Sequence, residues 1–124
     1  MKRTLALYLG VVLLLALAAA VFGQDPLKVA PQAFSEKLNN DQVRILTYHS
    51  KPGQKEAMHS HPASAVYLTT DCKLKFTMPD GKTSDMDAKA GDVRWREATV
   101  HAVENVGKTE CKGLVVELKE AAKK

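Results

Sequence analysis

The chain is predicted to fold as one all-β domain, an antiparallel roll of two sheets, and three observations carry the prediction. From Gln42 to Leu118 short runs of β-type residues succeed one another at close intervals. Clusters of turn residues separate them: Lys51-Pro52-Gly53, Pro79-Asp80-Gly81-Lys82, Lys89-Ala90-Gly91-Asp92 and Gly107-Lys108-Thr109. Helical periodicity is not sustained within that stretch. A pattern of about eight short strands with almost no helix is accommodated by a double-sheet roll, which also leaves a central cavity.

The chain begins differently. Met1-Lys2-Arg3 is positive, and Thr4 to Gly23 carries no charge in a run dominated by Leu, Val and Ala. A positive start, an apolar stretch and small residues at its end are the parts of an export signal. Residues 1–23 therefore read as a signal peptide, cut after Gly23 or within Ala18-Ala19-Ala20. The run also approaches the roughly 20 residues that span a bilayer, which keeps an uncleaved anchor as the alternative. The expected destination is the bacterial periplasm or the medium, with a membrane as partner only if the segment is retained. No Cys comes directly after the apolar run, so lipid attachment is not indicated.

The chain beyond the signal is long enough for one core and too short for two domains. Removing Lys2 and Arg3 lowers the formal net charge of +4 by two. The remaining basic residues are scattered among acidic ones and form no stripe with aromatics, which argues against nucleic acid as a partner.

Residues 24–41 read as a segment laid across the barrel, with one helix-like piece from Gln32 to Leu38 and Phe34 and Leu38 as its apolar contacts. The barrel itself is expected over residues 42–118. Val43, Ile45 and Thr47 alternate with Arg44, Leu46 and Tyr48, a second run leads through His59 and His61, and a third extends from Ser64 to Thr70. Leu74, Phe76 and Met78 alternate with Lys73, Lys75 and Thr77, which predicts one apolar and one wet face. Pro79 to Lys82 is a hairpin turn leading to a polar edge strand at Thr83–Asp87. Val93–Arg96 is a further run, and Leu114, Val116 and Leu118 are expected to form a final apolar ladder. Residues 119–124 lack apolar periodicity and read as a flexible tail.

The chemistry is concentrated in histidines. His59 and His61 lie one residue apart, so on a strand their side chains project from the same face and both reach one ion. His101, from a distant run, would complete a face of three nitrogen ligands. His49 is read as exposed or hydrogen-bonded at the end of another strand. Glu97 and Glu104 are the candidates for a compensating carboxylate, though Glu104 has the wrong parity relative to His101.

With these contexts the chain resembles the cupin superfamily from about Val43 to Leu118. Gly53, His59 and His61 match the first cupin motif in spacing, and Gly91-Asp92, His101 and Asn105 match the second. Two departures matter. Ala65-Val66 stands where the family places its metal-binding glutamate, and Arg96-Glu97-Ala98-Thr99-Val100 stands where the family has Pro-x-Gly. The closing glycine of the first motif is also replaced, near Cys72. The resemblance implies a single cupin-type double-stranded β-helix, or jelly-roll barrel, and a divalent transition metal held by His59, His61 and His101. Imidazole suits iron, zinc, copper and nickel, whereas loss of the carboxylate removes the oxygen donor that manganese prefers. Cysteine dioxygenase-type cupins hold ferrous iron with three histidines, so the missing glutamate is compatible with dioxygen chemistry.

Parity along the strands places Val66, Leu68, Phe76, Trp95 and Val103 around the cavity, with Thr70 and Thr99 as polar points. The alternative is that they are simply core. Arg94 and Arg96 flank Trp95, should point the opposite way, and read as surface charges. Cys72 and Cys111 are the only cysteines; they either form a disulfide or remain two half-buried thiols, and a zinc-thiolate site is not indicated. The residues support two functions. One is an exported metal-dependent oxidoreductase, dioxygenase-like, acting on a small organic molecule. The other is a non-catalytic module that binds a metal or small ligand. A third reading is a metal-free barrel that works as a structural or homodimer-forming partner, since small barrels with open edges associate.

Overall fold

A computed structural model describes residues 24–120. The expected signal peptide at 1–23, and residues 121–124 of the expected tail, lie outside the described residues. Among the described residues no helix is long and apolar enough to cross a membrane.

One short helix, α1 (Pro26–Val29), precedes nine strands: β1 (Phe34–Asn39), β2 (Val43–Ser50), β3 (Lys55–His61), β4 (Ser64–Leu68), β5 (Cys72–Thr77), β6 (Thr83–Ala88), β7 (Val93–Arg96), β8 (Thr99–Asn105) and β9 (Cys111–Leu118). They form a five-stranded sheet in the order β1-β2-β9-β4-β7 and a four-stranded sheet in the order β3-β8-β5-β6, with antiparallel pairing throughout. This is the all-β, double-stranded β-helix architecture. Inward-facing residues of both sheets, among them Leu46, Val66, Leu68, Leu74, Val103 and Val115, make the core. Each such side chain taken out of water contributes about 1.5–3 kcal/mol.

The turns obey local chemistry. Gly81 closes the β5–β6 hairpin at φ +86°, a left-handed conformation that costs glycine little, while the Met78 amide donates to the Lys82 carbonyl at 2.8 Å. Gly113 answers a different need. A side chain there would press to 2.5 Å from the Tyr67 carbonyl oxygen, so close pairing of β9 with β4 requires a residue without one.

Cys72 and Cys111 are joined in a disulfide, with Cα atoms 4.9 Å apart. The bridge ties the start of β5 in one sheet to the start of β9 in the other, fixing the two layers together at one end.

Three readings of the sequence need correction. The piece from Gln32 to Leu38 is not helical: most of it is β1, which pairs with β2. Phe34 and Leu38 have helical spacing, but only Phe34 is buried and Leu38 is 42% exposed, so the apolar pattern was a weak constraint beside the open edge of β2. The apolar ladder of β9 has the opposite parity: Cys111, Gly113, Val115 and Glu117 face inward, while Leu114, Val116 and Leu118 lie on the outer face. Trp95 does not line the cavity. It is 56% exposed, and its indole N–H donates to Glu97 at 2.7 Å. It stands opposite Ala65 on the outer face, while Arg96 pairs with buried Ser64 and turns inward.

Candidate metal centre

Strands β3 and β8 are neighbours, and their register puts His59 directly opposite His101. His61 lies two residues further on, and the three imidazoles meet inside the roll, each at most 3% exposed. One ring nitrogen from each lies within 4.8 Å of the others. The rings stand edge to face, with centroids 4.9–5.6 Å apart. Phe34 packs against His59 and His61, and Phe76 against His101, closing the cluster with apolar surface.

The outer nitrogens of two of the rings are engaged. His59 Nδ1 donates to the Ala57 carbonyl at 2.6 Å and His61 Nδ1 to a Glu117 carboxylate oxygen at 2.7 Å. A ring that donates through Nδ1 carries its lone pair on Nε2. The Nε2 atoms of His59 and His61 are buried and have no hydrogen-bond partner among the described residues. Burial holds His59 down at about 4 and His101 down at about 2, each also repelled by Arg96, so both are neutral at physiological pH. His59 and His61, each with an anchored Nδ1 proton and an orphaned Nε2 lone pair, and His101 opposite His59 are the kind of nitrogen donor set that a divalent transition ion takes. The site therefore fits such an ion, and tetrahedral or octahedral coordination by three residues leaves positions open.

Beneath the cluster runs a chain of charges. Glu117 bonds His61 through one oxygen and accepts from Arg44 Nε through the other at 2.7 Å. Arg44 then reaches Asp25 at 3.0 Å, and Asp25 caps α1 by accepting from the Leu27 amide. Burial alone would raise the Glu117 carboxyl, but the bonds from His61 and Arg44 hold it below the ordinary carboxylate range. Beside the cluster, Glu56 takes hydrogen bonds from the Tyr48 hydroxyl at 3.4 Å and the Gln54 amide at 3.2 Å. Burial raises the Glu56 carboxyl.

Glu56 reaches the interior through a bulge. Between Glu56, opposite Val103, and His59, opposite His101, β3 carries one residue more than β8. Simple alternation would put Glu56 and His59 on opposite faces. The interior cavity, about 20 Å³, is lined by Val66, Leu68, Phe76 and Val103 together with Tyr48 and Arg96.

The other polar residues singled out in the sequence lie elsewhere. His49 pairs with Glu110 at 3.3 Å, 43% exposed. Glu97 serves Trp95, and Glu104 stands opposite Lys55, away from the three rings. Sequence reasoning missed Glu117, Arg44 and Glu56, and placed Arg96 on the surface. A signal for Glu117 was present: taking Cys111 as inward, as a bridge to Cys72 demands, sets the parity that carries Glu117 inward with it.

A sequence model of the cupin domain matches residues 46–117. No protein with a curated description matches the chain. Among solved structures it resembles a cupin domain from Bordetella pertussis Tohama I, at 24% identity and TM-score 0.64 over 70% of this chain and 92% of that one. It also resembles a conserved double-stranded β-helix protein from Klebsiella pneumoniae subsp. pneumoniae MGH 78578, at 24% identity and TM-score 0.55 over 72% and 78%. A cupin superfamily protein from Desulfitobacterium hafniense DCB-2 is similar at 17% identity and TM-score 0.53 over 70% and 76%. At these identities the likeness speaks for the fold alone. The match of the domain model over more than half of the chain, with the two-sheet roll around His59, His61 and His101, makes this protein a member of the cupin family.

Proposed function

We propose that His59, His61 and His101 hold one divalent transition metal, iron, zinc, copper or nickel, and that its open positions receive a small organic ligand. The observation that carries this reading is the pair of buried, partnerless Nε2 atoms, on His59 and His61, in a cluster whose ligand atoms lie within 4.8 Å of one another. When bound, such an ion supplies a Lewis-acid position and, if it is redox-active, a route to dioxygen chemistry. The protein's own residues prepare that position. The Ala57 carbonyl and the Glu117 carboxylate fix the ring tautomers, and Phe34 and Phe76 keep water from the flanks of the rings. Oxygen-dependent oxidation of a small molecule is the reaction we assign first.

The size of the cavity favours a second reading. At about 20 Å³ it has room for little more than one water-sized group, which suits a module that captures a metal or small ligand without turning it over. Metal analysis of the purified protein, followed by oxygen-uptake measurements across a panel of small organic acids, alcohols and thiols, separates the two. Bound metal with uptake that disappears in a His59→Ala/His101→Ala variant supports the enzyme, whereas bound metal without uptake supports the binder. A protein that carries no metal and whose melting temperature ignores chelators would sink both, because an ion that binds only the folded site stabilises it.

We also place the protein outside the cytoplasm. The Cys72–Cys111 bridge supports this, since disulfides persist in oxidising compartments, and so does the uncharged apolar run from Thr4 to Gly23. Mass spectrometry of the N-terminus of the mature protein from a fractionated bacterial host tests it: a start near Gln24 in the periplasmic fraction is expected, and an intact Met1 in the cytosol would refute it.

A further inference from the structure

Arg96 faces the cavity, and no group among the described residues answers its charge. Its guanidinium lies over the ring of Phe76, 5.4 Å from the centroid, and the same ring packs at 5.0 Å against His101. Among the described residues it makes no hydrogen bond or ion pair. The ion pairs near the histidines lie elsewhere: Glu117 has His61 and Arg44, and Arg44 has Glu117 and Asp25, while Glu56 takes only neutral donors, Tyr48 and Gln54, on one oxygen. An arginine stays protonated even where burial works against it, so this cation persists with its five N–H donors unmet by the described residues. Arg96 is only partly buried, so water can meet some of these donors, and an anion that displaces that water gains a charge-assisted bond.

We infer that Arg96 is the anion-recognition residue of the site, and that the ligand is a small carboxylate whose oxygens meet the guanidinium while the same group faces the three histidines. This deepens the metal reading and rests on it, because a divalent ion held by neutral imidazoles adds positive charge to the same cavity. Glu117 does not neutralise that charge on its own, as Arg44 already shares its carboxylate. Shape selects the carboxylate. The planar fork of arginine matches a flat two-oxygen group, and in a cavity of about 20 Å³ only the leading oxygens of that group find room. The remainder of the acid would have to stay small or lie toward the opening.

The test uses the cobalt(II)-loaded protein, whose visible spectrum reports ligands added to the metal, with acetate as the anionic probe and acetamide as its neutral counterpart. Acetate is expected to shift the spectrum saturably and acetamide to have no effect. In Arg96→Gln, cobalt uptake should be unchanged while acetate binding weakens about tenfold to a hundredfold, the worth of a lost charge-assisted hydrogen bond. Should Arg96→Gln fail to melt cooperatively, Arg96→Lys carries the same test, since it keeps the charge but loses the fork, and several-fold weaker acetate binding is expected. Wild-type cobalt protein that ignores acetate, or binds it no better than an Arg96 variant, overturns the carboxylate assignment and leaves the metal reading standing. Failure of the wild type to take up cobalt at these histidines removes both.

Discussion

The two arginines nearest the histidine cluster are treated in opposite ways. On the β9 side, Arg44 is locked between Glu117 and Asp25, and that chain of charges ends on His61. On the β7 side, Arg96 lies over an aromatic ring and has no acidic partner among the described residues. The first arrangement is what holding a side chain in place requires: each buried charge is compensated and the ring it orients cannot turn. The second would be a defect if the same purpose explained it. The difference separates residues that build the centre from those left to meet something within it.

The largest effect is expected from breaking the compensated side. Glu117→Ala would strand the largely buried Arg44 and free His61 Nδ1, costing about 3–5 kcal/mol in denaturant unfolding. Its metal affinity should fall about 10–100-fold by calorimetric titration. Replacing both partners, Glu117→Leu with Arg44→Met, should recover much of the stability and none of the metal affinity. Recovery of both would mean that Glu117 does not orient His61.

Opening the disulfide tests the roll as a whole. With the cysteines 39 positions apart in the chain, Cys72→Ser/Cys111→Ser should lose about 3–4 kcal/mol, with a matching drop in melting temperature on adding reductant to the wild type.

Acid should act next. His59 and His101 protonate near pH 6.5 when unfolded but only near 4 and 2 when folded. The unfolded chain therefore binds more protons below pH 6.5. Stability of the metal-free protein, full above that pH, should fall progressively between pH 6.5 and 4. Glu117, held low in the fold, adds its own loss below the ordinary carboxylate range. A flat stability profile across that interval would show that the rings are not neutral and buried in solution.

On the uncompensated side the sign reverses. Arg96→Met should leave the ligand-free protein as stable as the wild type or raise it by about 1 kcal/mol, because it removes a cation that no acidic group among the described residues pairs. Destabilisation comparable to that of Glu117→Ala would erase the contrast. The smallest effect belongs to Trp95→Ala on the outer face, expected to change stability by less than about 1 kcal/mol and metal affinity not at all.

Much of the fold was legible because turn residues and alternation are local properties. The turns at Lys51-Pro52-Gly53 and Pro79-Asp80-Gly81-Lys82 lie where the strands they separate require them. His59 and His61 were legible as a pair for the same reason, since side chains two apart on a strand share a face. Parity failed where both faces of a strand are partly apolar. In β9, Leu114 and Val116 look as fit for the core as Val115, and in β7 Trp95 looks fitter than Arg96. It failed again in β3, where a bulge turns Glu56 onto the face of the histidines.

The amino-acid sequence by itself determined the all-β class, most strand boundaries beyond Gln42 to within a few residues, and which imidazoles could share a face, because each depends on residues close together in the chain. Only the tertiary structure decided that Glu117, 56 positions beyond His61, anchors its ring, that Arg44 is neutralised while Arg96 has no acidic partner among the described residues, and that Trp95 faces outward. Those outcomes depend on which strands lie side by side and on what a charge can find within a few ångströms. Distance along the chain carries no information about either.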